Sequence, residues 1–454
     1  MGTGERSPIQ RVGHKFHGRV PDSGKRSHLI SALMWVRLPS RPFQTRLNTA
    51  QEIPMLSFKQ LLPLMEQTET NKHLDHIEDL MLLRGGSGLD NSIAFMKDIV
   101  QSLKTGSTSL GMSTKWDGKP AVICGIHPEN KKFFVAIKGI FGKEVQKVFH
   151  TEQEIRKGFE IKDLADKLVE CLKYLSKIGI KTILQGDLMF VGNSKKSLTI
   201  NGQPHIGFQP NTILYTVPKD SEIGKRVGAA KIGIAFHTEY SGKTLADIRA
   251  TSFNFNANQL KQHPDVWFTD PNIYDLTPAL LKGGEGDTAI RSISECEALA
   301  KKVKPFLKTL LARKDLMPML LPYINSTING GLTSFTSGGL KLYIKTKLEK
   351  EINKLKTEKG KQTKEAALND LIAFVDAYDG QFSDMFELHN KISKVKEIIL
   401  AKMYAVSALG HFFMDADGIR PTDPEGIVIV RTGTAVKLVN RLRFSRQNRK
   451  INDP

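Results

Sequence analysis

Strand-like periodicity stops near Tyr240 and does not resume until Gly426. No other feature limits the possible folds of this chain so strongly. Segments 107–115, 120–126 and 132–138 read as a β-meander, the last alternating Phe133, Val135 and Ile137. Further strands are expected at 182–190, 212–217 and 231–240, separated by turn residues such as Gly192-Asn193, Asn201-Gly202 and Pro218. Residues 241–410 then read as largely helical and lysine-rich, with nine lysines between Lys341 and Lys364. Strand character returns at 426–430 and 435–439, joined through Thr432-Gly433 as a hairpin. A β-region that opens, admits roughly 170 helical residues and is then completed predicts one α+β domain with a helical insertion.

Two further helical stretches flank the first strands. From residue 55 to 104, Leu61, Leu62, Leu64 and Met65, then Ile77, Leu80, Met81 and Leu82, recur at helical spacing. Arg84-Gly85-Gly86-Ser87-Gly88 reads as an interhelix loop before a helix at 93–103. Glycines ahead of a helix can hold a phosphate, but this run lacks the lysine and hydroxyl of a P-loop and follows no strand. Residues 151–177 form a third helical stretch, with Leu164, Leu168, Leu172 and Leu175 on one stripe.

The first fifty residues stand apart, with nine Lys/Arg against two acids, Glu5 and Asp22. They fit an organelle transit peptide, a basic nucleic-acid arm, or an upstream extension preceding a globular region that opens at Met55. The third reading is preferred. The expected organisation is a basic extension over 1–54, a helical region over 55–104, core over 105–240, insertion over 241–410, and core with a basic tail over 411–449.

Lys and Arg outnumber acids by 66 to 47, a formal charge of +19, which favours an anionic partner. The three cysteines lie far apart, so neither a disulfide framework nor a zinc cluster is expected, and a reducing compartment follows. No apolar run is long enough to cross a membrane, so no membrane role is expected.

The chemistry centres on Lys115-Trp116-Asp117-Gly118-Lys119-Pro120, at the end of an expected strand. A lysine that attacks phosphorus must be partly deprotonated and fixed at its target, and a strand end beside a glycine turn provides that setting. Downstream, Gln185-Gly186-Asp187-Leu188 interrupts an apolar strand with a carboxylate, and 232–240 is a strand containing Phe236. Pro424-Glu425-Gly426 sets a carboxylate at the mouth of another strand, and Lys437 lies inside the next. Charges flanked by β-branched residues are unfavourable unless something anionic or metallic compensates them.

In this order, KxDG, G-[DE]-L, an aromatic strand, EGxVV and a strand lysine resemble the covalent nucleotidyltransferase superfamily of ATP-dependent DNA ligases, RNA ligases and mRNA capping enzymes. The resemblance covers about residues 105–240 and 415–445. The stretch 55–449 also looks like an uncharacterised tailed-phage protein family sharing the TKWDG, LQGD, FQPNT and EG..V blocks, which implies the cytoplasm of an infected bacterium rather than secretion. The superfamily resemblance implies a ligase-type core of antiparallel sheets, with ATP and Mg²⁺ as cofactors. Lys115 would become a lysyl-adenylate, with Asp117, Gly118 and Lys119 positioning lysine and nucleotide. Asp187 would contact ribose, Phe236 would stack on adenine, and Lys138 would meet phosphate or ribose. Glu425 would bind the metal and Lys437 the α-phosphate. The basic tail, with Arg441, Arg443 and Arg446, would hold the phosphates of an RNA or nicked-duplex substrate.

Two positions depart from the DNA-ligase pattern: Pro120 stands where arginine is usual, and Val439 where a second lysine is usual. With no room after the last strand for a C-terminal OB domain, RNA ligases are the closer comparison. The alternatives are a nucleotide- or nucleic-acid-binding relative without catalysis, and a phage structural or packaging accessory protein that assembles through the insertion.

Overall fold

The computed structural model describes residues 74–141, 147–407, 409–415 and 418–445. The expectations for 1–54, for Leu61 to Met65 and for Arg446 lie outside the described residues. In chain order the protein begins with β1 (Asp75–His76), α1 (Leu80–Thr105), β2 (Gly111–Lys115), β3 (Ala121–Ile126) and β4 (Phe133–Ala136). Next come α2 (Glu152–Gly158), α3 (Lys162–Leu175), β5 (Ile183–Val191), β6 (Lys196–Ile200), β7 (Gln203–Phe208) and β8 (Leu214–Pro218). After α4 (Glu222–Ala229) come β9 (Ile232–Ser241), β10 (Arg249–Ser252) and β11 (Val266–Thr269). Five consecutive helices follow: α5 (Glu285–Ala312), α6 (Met317–Asn329), α7 (Ser337–Ile352), α8 (Glu358–Ala377) and α9 (Asp379–Met403). The chain then returns to strands β12 (Gly410–Asp415), β13 (Gly418–Pro421), β14 (Gly426–Arg431) and β15 (Thr434–Val439).

The fold is therefore mixed helix and sheet, with three largely antiparallel sheets and a helical block between β11 and β12. The first sheet has the order β1-β15-β14-β2, and the second has β10-β9-β5-β3-β4 with β11 alongside β9. The third has the order β13-β12-β8-β7-β6. Strands from both sides of the insertion share the first and third sheets, so the two halves of the strand pattern form one folded unit. The expected β14–β15 hairpin is present: Thr432 and Gly433 both take positive φ, 44° and 77°, as a tight two-residue turn requires.

Two expectations are refined. The helical region starts at Glu285 rather than near residue 241, because β10 and β11 first widen the second sheet along β9. The glycine run at 85–88 does separate two helical stretches, as expected, but by a kink and not by a loop. It lies within α1, which kinks at Gly85 (φ 60°, ψ −137°), where a Cβ would come within 2.4 Å of Leu311 of α5. The insertion packs into the core of the first sheet. Leu103 of α1, Leu307 of α5 and Ile399 of α9 share one apolar core with Ile427, Ile429, Val436 and Leu438 of the first sheet. The insertion and the N-terminal helix thus cover the back of that sheet together.

Beneath this layer lies a buried ionic network. Lys396 of α9 donates to Glu78 at 2.5 Å, and His389 of the same helix meets Asp79 at 2.8 Å. Many of the lysines on α7 and α8 are also engaged, Lys341 with Asp376, Lys361 with Glu358 and Lys364 with Glu351. This part of the insertion is a solvated, ion-paired face. Among the described residues no helix is long and apolar enough to cross a membrane.

Candidate active site

The alternation of side chains along β-strands builds the site. In β14 and β15, Ile427, Ile429, Val436 and Leu438 point into the core, so Val428, Lys437 and Val439 face the other way. In β2, Met112 goes to the core, while Ser113 and Lys115 lie on the opposite face. The second sheet does the same. Leu184 and Leu188 of β5 join the core against α3, and Gln185 and Asp187 face outward. The two outward faces enclose a cavity of about 480 Å³, a size that suits a nucleotide-sized ligand. Asn325, Ile328 and Asn329 of α6 form a further wall, so the insertion contributes directly to the cavity.

Register brings Lys115 to its partner. Gly426 of β14 pairs with Lys115 of β2, which places the preceding Glu425 beside the amine. Lys115 Nζ and Glu425 Oε1 are 2.5 Å apart, with side chains 27% and 12% exposed. Burial works against the Lys115 ammonium, but the charges of Glu425, Asp187 and Asp117 outweigh it and raise the pKa above the ordinary lysine value. Burial pushes Glu425 up to about 7 against the pull of Lys115. Burial likewise pushes Asp187 up to about 7, partly opposed by Lys115 and Lys138. The pKa of Lys437 is lowered, by burial first and then by Lys115. Lys437 and Lys138 line the cavity, and neither has a hydrogen-bond or ion-pair partner among the described residues.

Asp117 takes a different part. Its carboxylate accepts from Asn211 Nδ2 at 2.7 Å and from the backbone N–H groups of Thr212 at 2.8 Å and Ile213 at 3.0 Å. Its own N–H donates to the Tyr215 hydroxyl at 2.7 Å. Asp117 thus anchors the turn after Lys115 to the Phe208–Thr212 block and is fully engaged in doing so. Gly118 lies so close to β5 that a Cβ would come within 2.5 Å of the Asp187 Cβ. The glycine lets the two motifs touch. Lys119 is exposed and does not line the cavity.

The expected adenine platform is corrected. Phe236 is fully buried, packs edge-on to Phe255 and does not line the cavity. Phe236 alternates with Ile232 and Ile234 onto the core face of β9; a bulge follows it, where Gly186 pairs with Phe236 and Gln185 with Thr238, leaving His237 as the extra residue. His237 faces the cavity 3.9 Å from Asp187, and burial, then Lys115 and Lys138, hold its pKa down to about 4. Tyr240, which donates to Gln185 at 2.8 Å, and Phe253 are the aromatic rings on this wall.

The tail is corrected as well. Arg441 is only 9% exposed and donates to Asp79 at 3.0 Å and to Asn325, so it braces the cavity wall instead of presenting a free cation. Arg443 pairs with Asp423.

A family model described as a family of unknown function (DUF6267) matches residues 71–452. The chain belongs to this family. No curated protein and no solved structure matches it. In this family member the TKWDG, LQGD and EG..V blocks meet around one cavity, and the FQPNT block holds Asp117 beside it. Trp116, His76 and the α6 asparagines are cavity residues that sequence reasoning missed. The bulged His237, a polar residue after Phe236 in an apolar strand, carried the one readable signal.

The donor set suits magnesium in chemical type. Glu425 and Asp187 offer carboxylate oxygens, and Mg²⁺ commonly takes one or two of these, completing its shell with phosphate and water. Among the described residues no group of three His, Cys, Asp or Glu is arranged to hold a metal alone, so a ligand's phosphates would be needed.

Proposed function

We propose that this protein transfers the adenylyl group of ATP through a covalent lysyl-adenylate on Lys115, on a ligase-type nucleotidyltransferase core, with a polynucleotide as the final acceptor. The observation that carries the reading is the convergence of Lys115, Asp187, Glu425, Lys437 and Lys138 on a single cavity between two sheets. Segments more than 300 residues apart in the chain supply them.

Lys115 keeps its proton while Glu425 is its partner. With Glu425 and Asp187 both engaged by a metal, burial would become the main influence on the amine, and burial favours the neutral nucleophile. The side chain is 27% exposed, so its proton leaves to solvent. The Lys115 nitrogen then forms a bond to the α-phosphorus as the bond to the bridging oxygen breaks, and pyrophosphate leaves with the electron pair. Lys437 and Lys138 stabilise the charge that develops on the phosphate oxygens. Mg²⁺, held by Glu425 and Asp187, would supply further neutralisation of phosphate charge. An acceptor 5′-phosphate oxygen attacks the lysyl-adenylate in a second step, taking AMP and restoring the Lys115 amine.

The test is incubation with α-labelled ATP and Mg²⁺, followed by denaturing electrophoresis. Covalent label on the wild type, absent from Lys115→Ala, is expected. An unlabelled wild type, or an equally labelled variant, overturns the proposal. The raised pKa of Lys115 favours a second reading, a nucleotide-binding relative without catalysis. ATP binding without covalent label would select it.

A further inference from the structure

A second cavity, of about 440 Å³, opens at one end of the second sheet. Three loops form it: the β3–β4 turn with Lys131, the entry to β5 with Lys181, and the exit from β9 with Lys243. Sheet register places these loops side by side, because Gly125 pairs with Ile183 and Ile183 with Tyr240. Among the described residues no Asp or Glu lines this cavity. Lys181 and Lys243 are exposed and have no ion-pair partner among the described residues, and Lys131 donates only to the Pro128 carbonyl, at 2.5 Å. Three cations around a wall that no described carboxylate lines favour a polyanion there.

Its position ties it to the first cavity. Tyr240 lines both. Along β5, Ile183 at the basic cavity and Asp187 at the first are four residues apart, about 13 Å at the usual rise per residue. We propose that this basic cavity binds the phosphodiester backbone of the nucleic-acid strand whose end enters the Lys115 cavity. The inference deepens the proposed function and rests on it for the identity of the ligand. Lysines supply the contacts, and the cavity's ring residues, Tyr240 and His127, are buried. Recognition is therefore of phosphate and not of base sequence. Binding should fall steeply with salt and vary little between sequences.

The experiment measures fluorescence anisotropy of labelled single-stranded oligonucleotides, RNA and DNA, with the full chain over a salt series. Lys181→Glu/Lys243→Glu is compared with a charge-matched control on the insertion, Lys350→Glu/Lys354→Glu. The first variant should bind about tenfold more weakly, with a salt slope shallower by about two, while the control stays near wild type. Equal losses in the two variants, or less than a twofold loss in the first, overturn the inference. Displacement of the oligonucleotide by inorganic phosphate, at concentrations too low to change ionic strength, also overturns it in favour of a small-anion site. Covalent labelling of Lys181→Glu/Lys243→Glu by ATP should match wild type. A wild type that is never labelled defeats the proposed function alone, because the difference in binding is read without it.

Discussion

Replacing Asp187 with asparagine should make the protein more stable, and only above a certain pH. Burial is the largest influence on this carboxyl, and the attraction of Lys115 and Lys138 offsets it only in part, so its pKa stands at about 7 against an ordinary 3.8. The unfolded chain releases the proton near the ordinary value. Between about pH 4 and pH 7 the native state therefore holds more protons than the unfolded state, and stability declines as pH rises. The contribution is fully present below about pH 4 and is lost as pH climbs through about 7. A shift of about three units, at about 1.4 kcal/mol each, sets an upper limit of about 4 kcal/mol. The amide's own need for hydrogen bonds in this site reduces the expected gain to about 2–3 kcal/mol. Urea unfolding of wild type and Asp187→Asn near pH 4 and near pH 8.5 reads this directly. The two proteins should nearly coincide at the acidic end, and the variant's midpoint should lie higher at the basic end. Equal stability near pH 8.5, or an advantage that persists near pH 4, would refute the argument that burial dominates this site. If the proposed function is correct, the same variant is impaired in adenylyl transfer, a trade of activity for stability at one side chain.

Lys437→Met should weaken ATP binding about tenfold or more by calorimetry while leaving the unfolding midpoint nearly unchanged, since the ammonium has no partner among the described residues. Lys396→Ala leaves the buried Glu78 carboxylate without its closest counter-charge and should lower stability by about 3–5 kcal/mol in denaturant titration. Most of that loss should return in Glu78→Leu/Lys396→Met. Phe236→Leu should lower stability by about 1–2 kcal/mol through core packing and leave ATP affinity within twofold. A larger loss of affinity would return Phe236 to the site.

The sequence made the order of the elements legible and left their depth unread. Lys115, Asp187, Glu425 and Lys437 stood out because each is a charge set in or against an apolar strand, and such placements are rare without a reason. Pairing of β2 with β14 could not be read, since it joins segments on either side of a long insertion. Phe236 misled for a local reason. Its ring suggested a platform, yet it alternates with Ile232 and Ile234 and so shares their core face against Leu184 and Leu188; the bulge at His237 comes only after it. Arg441 misled because charge in a tail reads as solvent-facing, whereas its partner Asp79 lies far off in sequence and within the core layer. The β10 and β11 strands have four residues each, too few for an alternation to show, and β10 has only one β-branched residue; Val-Trp-Phe-Thr of β11 was a strand signal left unread.

The core shared by α1, α5, α9 and the first sheet has a practical consequence. The helices from Glu285 to Met403 resemble a removable appendage in the sequence, and excising them would look like a route to a minimal catalytic fragment. Such a deletion would strip the apolar rear of the strands that carry Glu425 and Lys437, remove α6 from the cavity wall, and take His389 and Lys396 away from Asp79 and Glu78. The excised fragment would aggregate. Any useful truncation has to keep the helices with the strands they shelter.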